Sequence, residues 1–139
     1  MKRLAFLTLF IALAVGVSQA LAGGGSATGS APIQRHNEFC GFPISAPEMG
    51  TVTFTLVGDR LTVDFAIKNA DPNTSYDATV WVTGGPFTCD RVSKLGKIKT
   101  NAKGSAVAHF TTTASPKQCF FGSINAGGDF NDSTFVCLP

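Results

Sequence analysis

The 139-residue chain is 44% apolar and 14% charged, with 15 Gly. This composition excludes a disordered chain, and the length allows one ordinary core. No Gly-x-y period, heptad or 20-residue repeat is present, so fibrous and solenoid classes drop out. The formal charge of +2 comes from Lys2 and Arg3, which precede an apolar run from Leu4 to Val17 and the small-residue site Ala20-Leu21-Ala22. That arrangement reads as a signal peptide over residues 1–22, cleaved after Ala22. The run is shorter than the roughly 18 to 20 residues that cross a bilayer, so no membrane span is expected. No Cys follows the cleavage site, and Val136-Cys137-Leu138-Pro139 has no hydrophobic tail, so no lipid anchor is expected. Removing the two basic residues leaves nine Lys and Arg against nine Asp and Glu. A neutral mature chain gives no reason to expect nucleic acid or acidic membranes as partners.

Residues 23–31, Gly-Gly-Gly-Ser-Ala-Thr-Gly-Ser-Ala, have almost nothing to bury and read as a flexible tether. The single domain then spans 32–139. It begins with an irregular lead-in to about residue 49, which carries Pro32, Pro43, Pro47 and Cys40. Thr51 to Val57 and Arg60 to Ile67 alternate polar with apolar residues, and Gly58-Asp59 closes them into a hairpin. Asp71-Pro72-Asn73 marks a turn, and Tyr76 to Thr83 is rich in strand-forming residues. Leu95 to Thr100 and Ser105 to Thr113 frame Asn101-Ala102-Lys103-Gly104 as a second hairpin, with Ala106, Ala108 and Phe110 turned inward. Cys119 to Asn125 and Ser133 to Leu138 flank a loop holding Gly127-Gly128. Seven short strands with no helical period predict an all-β fold, and at this spacing an antiparallel β-sandwich rather than a closed barrel. Arg91, Lys94, Lys97, Lys99 and Lys103 cluster against Asp90 alone. They read as a lysine-guarded edge strand, the alternative being a site for an anionic polymer.

Four cysteines in an exported domain predict two disulfides. In an antiparallel hairpin, directly opposed residues share a constant sum of residue numbers. Cys119 with Cys137 and Phe121 with Phe135 meet that condition together, with the turn centred on Gly128. The expected pairs are therefore Cys119–Cys137 and Cys40–Cys89. No Cys or His spacing suits a metal, and no cofactor is implied.

The histidines, His36 and His109, are the only imidazole bases. Without a Gly-x-Ser-x-Gly sequence they read as surface residues, His109 projecting from a strand face with no Ser, Cys or carboxylate within reach. No catalytic residue is assigned, and the chain is not expected to be an enzyme. Asp129-Phe130-Asn131-Asp132-Ser133 is a cluster of oxygen ligands without EF-hand spacing, read as a hairpin loop with calcium as the alternative. Asn73-Thr74-Ser75 and Asn131-Asp132-Ser133 match the N-glycosylation tripeptide. The chain has 12 Phe. Phe39, Phe42, Phe87, Phe120, Phe121, Phe130 and Phe135 are too many for one small core, so some are expected to line a pocket or partner surface.

Asp-Pro-Asn-Thr-Ser-Tyr from Asp71, then Thr79-Val80-Trp81-Val82, Leu95-Gly96-Lys97-Ile98 and Thr100 to Ala106, resembles secreted bacterial immunoglobulin-like domains. The pattern is also distantly similar to neocarzinostatin-type apoproteins. The resemblance implies the sandwich fold; the cysteines depart from both families, so chromophore binding does not carry over. The expected function is that of an exported, extracellular or periplasmic, non-catalytic binding or surface and matrix protein with an extracellular partner. A small-ligand carrier with a Phe-lined cleft and a secreted hydrolase are the alternatives.

Overall fold

The computed structural model describes residues 25–35, 46–83, 89 and 91–139. Nine strands make up its regular structure: β1 (Ser26–Arg35), β2 (Glu48–Val57), β3 (Arg60–Ile67), β4 (Ser75–Thr83), β5 (Arg91–Lys99), β6 (Ala106–Thr113), β7 (Cys119–Ala126), β8 (Asp129–Ser133) and β9 (Val136–Cys137). The pairings are antiparallel. The spatial order is β5-β4-β7-β8-β1-β2-β3-β6, with β9 beside β7. This path curls into a nearly closed barrel. Its two end strands meet without a hydrogen-bonded ladder, and Phe110 of β6 lies so close to Gly96 of β5 that a Cβ there would stand 2.9 Å from the ring.

The β2–β3 hairpin forms as its alternation dictates. Gly58 takes φ 62°, a left-handed conformation that Gly adopts without Cβ strain, and Val57 pairs with Arg60 across the two-residue turn. Val52, Phe54, Leu56, Leu61, Val63, Phe65 and Ile67 are all buried in the barrel interior. Tyr76, Val80 and Val82 of β4 and Phe120 and Ile124 of β7 join them. Phe54 stacks on Phe120 at 5.8 Å and Phe65 meets Phe110 edge-on at 6.1 Å. Each fully buried Phe of this kind contributes about 1.5–3 kcal/mol by leaving water.

Of the segment 23–31 expected to be a tether, residues 26–31 are instead strand. Residues 26–31 belong to β1, paired with β2 from Ser26 opposite Val57 to Ala31 opposite Val52. Ladder pairing needs only backbone groups, and here the small side chains are what the site requires. A Cβ on Gly29 would collide with Val136 Cγ1, so the inward glycine makes room for the C-terminal strand. On the outer side, Ser30 Oγ and Thr53 Oγ1 lie 2.7 Å apart in a cross-strand hydrogen bond. The strand runs on through Pro32 to Arg35, so that part of the lead-in is also regular.

The second expected hairpin is not one. The turn has the predicted chemistry: Asn101 O accepts from Gly104 N at 3.0 Å, and Asn101 Oδ1 accepts from Lys103 N and Ser105 N at 2.8 and 3.1 Å. Yet β5 pairs with β4 and β6 pairs with β3. The turn docks on the 70–74 corner, where Ala70 N donates to Gly104 O at 3.1 Å and Thr100 N to Thr74 O at 2.9 Å. Buried Thr100 donates its hydroxyl to Asp71 O at 2.6 Å. These bonds carry the chain across to β3 rather than back along β5.

The last hairpin keeps the expected Cys register and gains a bulge. Cys119 lies opposite Cys137 and the two form a disulfide. Phe121 and Phe135 meet edge-on at 5.1 Å. Further along, Ser123 pairs with Asp132 and Ala126 with Asp129, one residue out of that register. The turn is therefore centred between Gly127 and Gly128, both at positive φ, rather than on Gly128. The extra residue falls after Ser133, whose Oγ accepts from Gly122 N at 3.0 Å in place of a ladder carbonyl. The predicted strand from Ser133 to Leu138 is thus shortened to β9, and β8 lies ahead of it, sharing only Ser133. With β1, this gives nine strands among the described residues rather than seven. Cys89 is disulfide-bonded. Cys40, His36, Phe39, Phe42, Phe87 and the 1–22 segment lie outside the described residues. No helix among the described residues is long and apolar enough to cross a membrane.

Candidate binding groove

The outer face of β5, β4, β7 and β8 carries side chains in rows set by strand register. One row is Lys97, Asp77, Asn125 and Phe130; the next is Lys94, Thr79, Ser123 and Asp132; the third includes Trp81 and Phe121. Neighbouring rows are about 7 Å apart along the strands. The middle row is short at Thr79 and Ser123 while its neighbours are tall at Phe130 and Trp81, and a groove of about 450 Å³ results. Trp81 and Phe130 stand at opposite corners of it, two strands apart.

A bulge brings the lysines to this face. Ala78 pairs with Gly96 and Thr79 with Lys94, leaving Leu95 as the extra residue. In a regular strand Lys94 and Lys97 would point to opposite faces. Here both line the groove. Lys97 Nζ donates to Asp77 Oδ1 at 2.7 Å, and both side chains are about two-thirds exposed (68% and 66%). The position of β5 at the end of the sheet path agrees with the edge-strand reading of the basic cluster; two of its lysines also border the groove.

Trp81 is held from the side by Phe121, with ring centroids 5.8 Å apart and planes 3° from parallel, and Phe121 is in turn braced by Phe135. Of the surplus Phe residues, Phe120 is in the core, Phe121 and Phe135 support the indole from outside the barrel, and Phe130 lines the groove. Asn125 Oδ1 accepts from Gly128 N at 3.2 Å, which fixes the amide and turns its NH₂ group away from that bond.

His109 departs from expectation. It projects from a strand face, but Asp64, directly opposite on β3, places Oδ1 2.6 Å from its Nδ1. The pair arises because the register sets the two residues side by side. Their side chains are 63% and 45% exposed, their outer-face neighbours are Thr62, Thr111, Ala66 and Val107, and neither residue lines the groove. With both side chains standing in solvent, this is an exposed cross-strand contact.

The Asp129 to Ser133 cluster is strand β8, not a loop, so its side chains alternate between faces and do not converge on one cation. Asn131 is buried, with Nδ2 donating to Ile124 O at 3.2 Å, whereas Asn73 stands exposed in a turn at φ 53°. No group of three His, Cys, Asp or Glu among the described residues could hold a metal. At the barrel end Arg35 pairs with Asp71 at 3.2 Å, and Tyr76 Oη accepts from Asp71 N at 3.0 Å. Burial pushes the Tyr76 phenol above its ordinary value, partly offset by that backbone hydrogen bond.

The groove was not legible in the sequence, because it depends on the mutual register of four strands distant in the chain. The glycine within β5 is the one local signal that could have announced the bulge. A scan against protein-family models, a search of curated proteins and a search of solved structures return no match to this chain.

Proposed function

We propose that the chain is an exported, non-catalytic binding protein that holds a small ligand in the groove between Trp81 and Phe130. The groove carries this reading: an outer strand face that does nothing but meet solvent needs no braced indole across a trough of hydroxyls. Export is supported by the Lys2-Arg3, Leu4 to Val17 and Ala20-Leu21-Ala22 pattern, and the Cys119–Cys137 disulfide is consistent with an oxidising compartment. We read the fold as an immunoglobulin-like sandwich. Its halves are β1-β2-β3-β6 and β5-β4-β7-β8, joined where β1 meets β8, and the β5-to-β6 crossover supports this. The groove favours the small-ligand carrier over a purely structural matrix role.

Native mass spectrometry of protein secreted from one host tests the reading, with Thr79→Trp as a groove-filled comparison. A bound species on the wild type that is missing from the variant supports it. Equal, ligand-free masses after exposure to concentrated medium overturn it.

A further inference from the structure

Resting on the reading of the groove as a binding site, we infer that its ligand is a short saccharide of about two rings. A sugar ring offers an apolar C–H face and a rim of hydroxyls, so a matching site needs a fixed aromatic plane flanked by hydroxyl, amide and charged groups. The groove has these parts. Trp81 is held in one plane by parallel stacking on Phe121, and Phe130 gives a second aromatic surface at the opposite corner. Between them lie the hydroxyls of Thr79 and Ser123 and the amide of Asn125, whose NH₂ is directed by the Gly128 N–H bond. The Asp77–Lys97 pair at the rim presents an acceptor and a donor side by side, the arrangement that meets two adjacent hydroxyls. Trp81 and Phe130 are two strands apart laterally and four residues apart along the sheet, about 10 Å by about 14 Å, which suits more than one ring.

Competing ligand classes fit less well. An apolar ligand would strip water from Thr79, Asn125 and Asp77 without replacing its hydrogen bonds, at a cost for each group. A polyanion needs several unneutralised cations in a row, and here Asp77 pairs with Lys97 and leaves Lys94 as the one other Lys or Arg lining the groove. The volume of about 450 Å³ lies within the range of small-molecule sites and is concave, unlike most protein contact surfaces.

The chain has a single Trp, so tryptophan emission from the folded protein comes from the groove residue Trp81. The experiment titrates the disulfide-intact protein with cellobiose, maltose and N,N′-diacetylchitobiose, with phenylacetate as a non-sugar control, and probes a glycan array in parallel. The expected result is a saturable change in Trp81 emission with at least one disaccharide, or a positive array feature. That affinity should weaken at least tenfold in both Asn125→Ala and Phe130→Ala, each shown folded by circular dichroism. Binding of sugar that both variants retain overturns the assignment. A response to phenylacetate alone, abolished by Thr79→Trp, overturns the saccharide class while the groove stands as a binding site. Silence towards every probe, with no ligand found by native mass spectrometry, overturns both.

Discussion

Gly104 sits against Ala70 with its carbonyl accepting the Ala70 amide at 3.1 Å, and a Cβ on Gly104 would collide with the Ala70 carbonyl oxygen. This contact ties the β5–β6 connection to the corner that follows β3, and so leads the chain onto β3 rather than back along β5. Gly104 also has φ 70°, where any other residue is strained.

Gly104→Ala is therefore expected to destabilise the domain by at least about 3 kcal/mol, combining left-handed strain with a backbone collision. Urea unfolding followed by Trp81 fluorescence checks this. Gly58→Ala has φ strain but open space around it, so its smaller loss, about 1 kcal/mol, serves as the reference.

The disulfide across β7 and β9 closes the chain next to the aromatic brace. Replacing Cys119 and Cys137 together by Ser should cost about 3 kcal/mol and loosen the Phe121–Phe135 contact behind Trp81. A non-reducing peptide map should link Cys119 to Cys137, and the double variant should show a red-shifted Trp81 emission before global unfolding.

These features differ in how far the sequence disclosed them. Val52, Phe54 and Leu56 facing Leu61, Val63 and Phe65 were legible because bulky residues at period two leave one buried face. The Cys119–Cys137 register was legible because two pairs constrained one hairpin. Strand β1 was hidden because Ala27, Gly29 and Ala31 carry no bulk for a period to show, although Gly29 is the residue that lets Val136 approach. The partner of β6 was hidden because the turn chemistry of Asn101 to Gly104 serves a hairpin and a crossover equally; only Ala70 and Thr74, far back in the chain, distinguish them. The groove was hidden for the same reason, its rows being a product of pairing at long range.

The Asp64–His109 pair is exposed, so it should contribute little to stability. His109→Ala and Asp64→Asn are each expected to shift stability by under about 1 kcal/mol, with a coupling in the double-mutant cycle of the same small size. Thermal unfolding of the four proteins at pH 7 checks this, and a coupling above about 2 kcal/mol would show that the pair is more than a surface contact.

Tyr76 is the chain's single tyrosine and is buried, with its oxygen accepting from Asp71 N at 3.0 Å. Burial disfavours the phenolate and raises its pKa above 10.0, while the Asp71 N–H bond pulls the other way with less effect. The folded state therefore holds its phenolic proton to higher pH than the unfolded state does. Between the unfolded value near 10 and the folded value, the native chain binds more protons, so stability falls with rising pH through that window and is fully present below it. Absorbance titration at 295 nm should show a midpoint above 10.0 for the folded protein and near 10 in urea. Tyr76→Phe separates this from lysine deprotonation: it should cost about 1 kcal/mol at pH 7, where the Asp71 amide loses its acceptor, yet lose less stability between pH 9 and 11 than the wild type. A folded-state midpoint at or below 10 would show that the hydrogen bond from Asp71, rather than burial, governs the phenol.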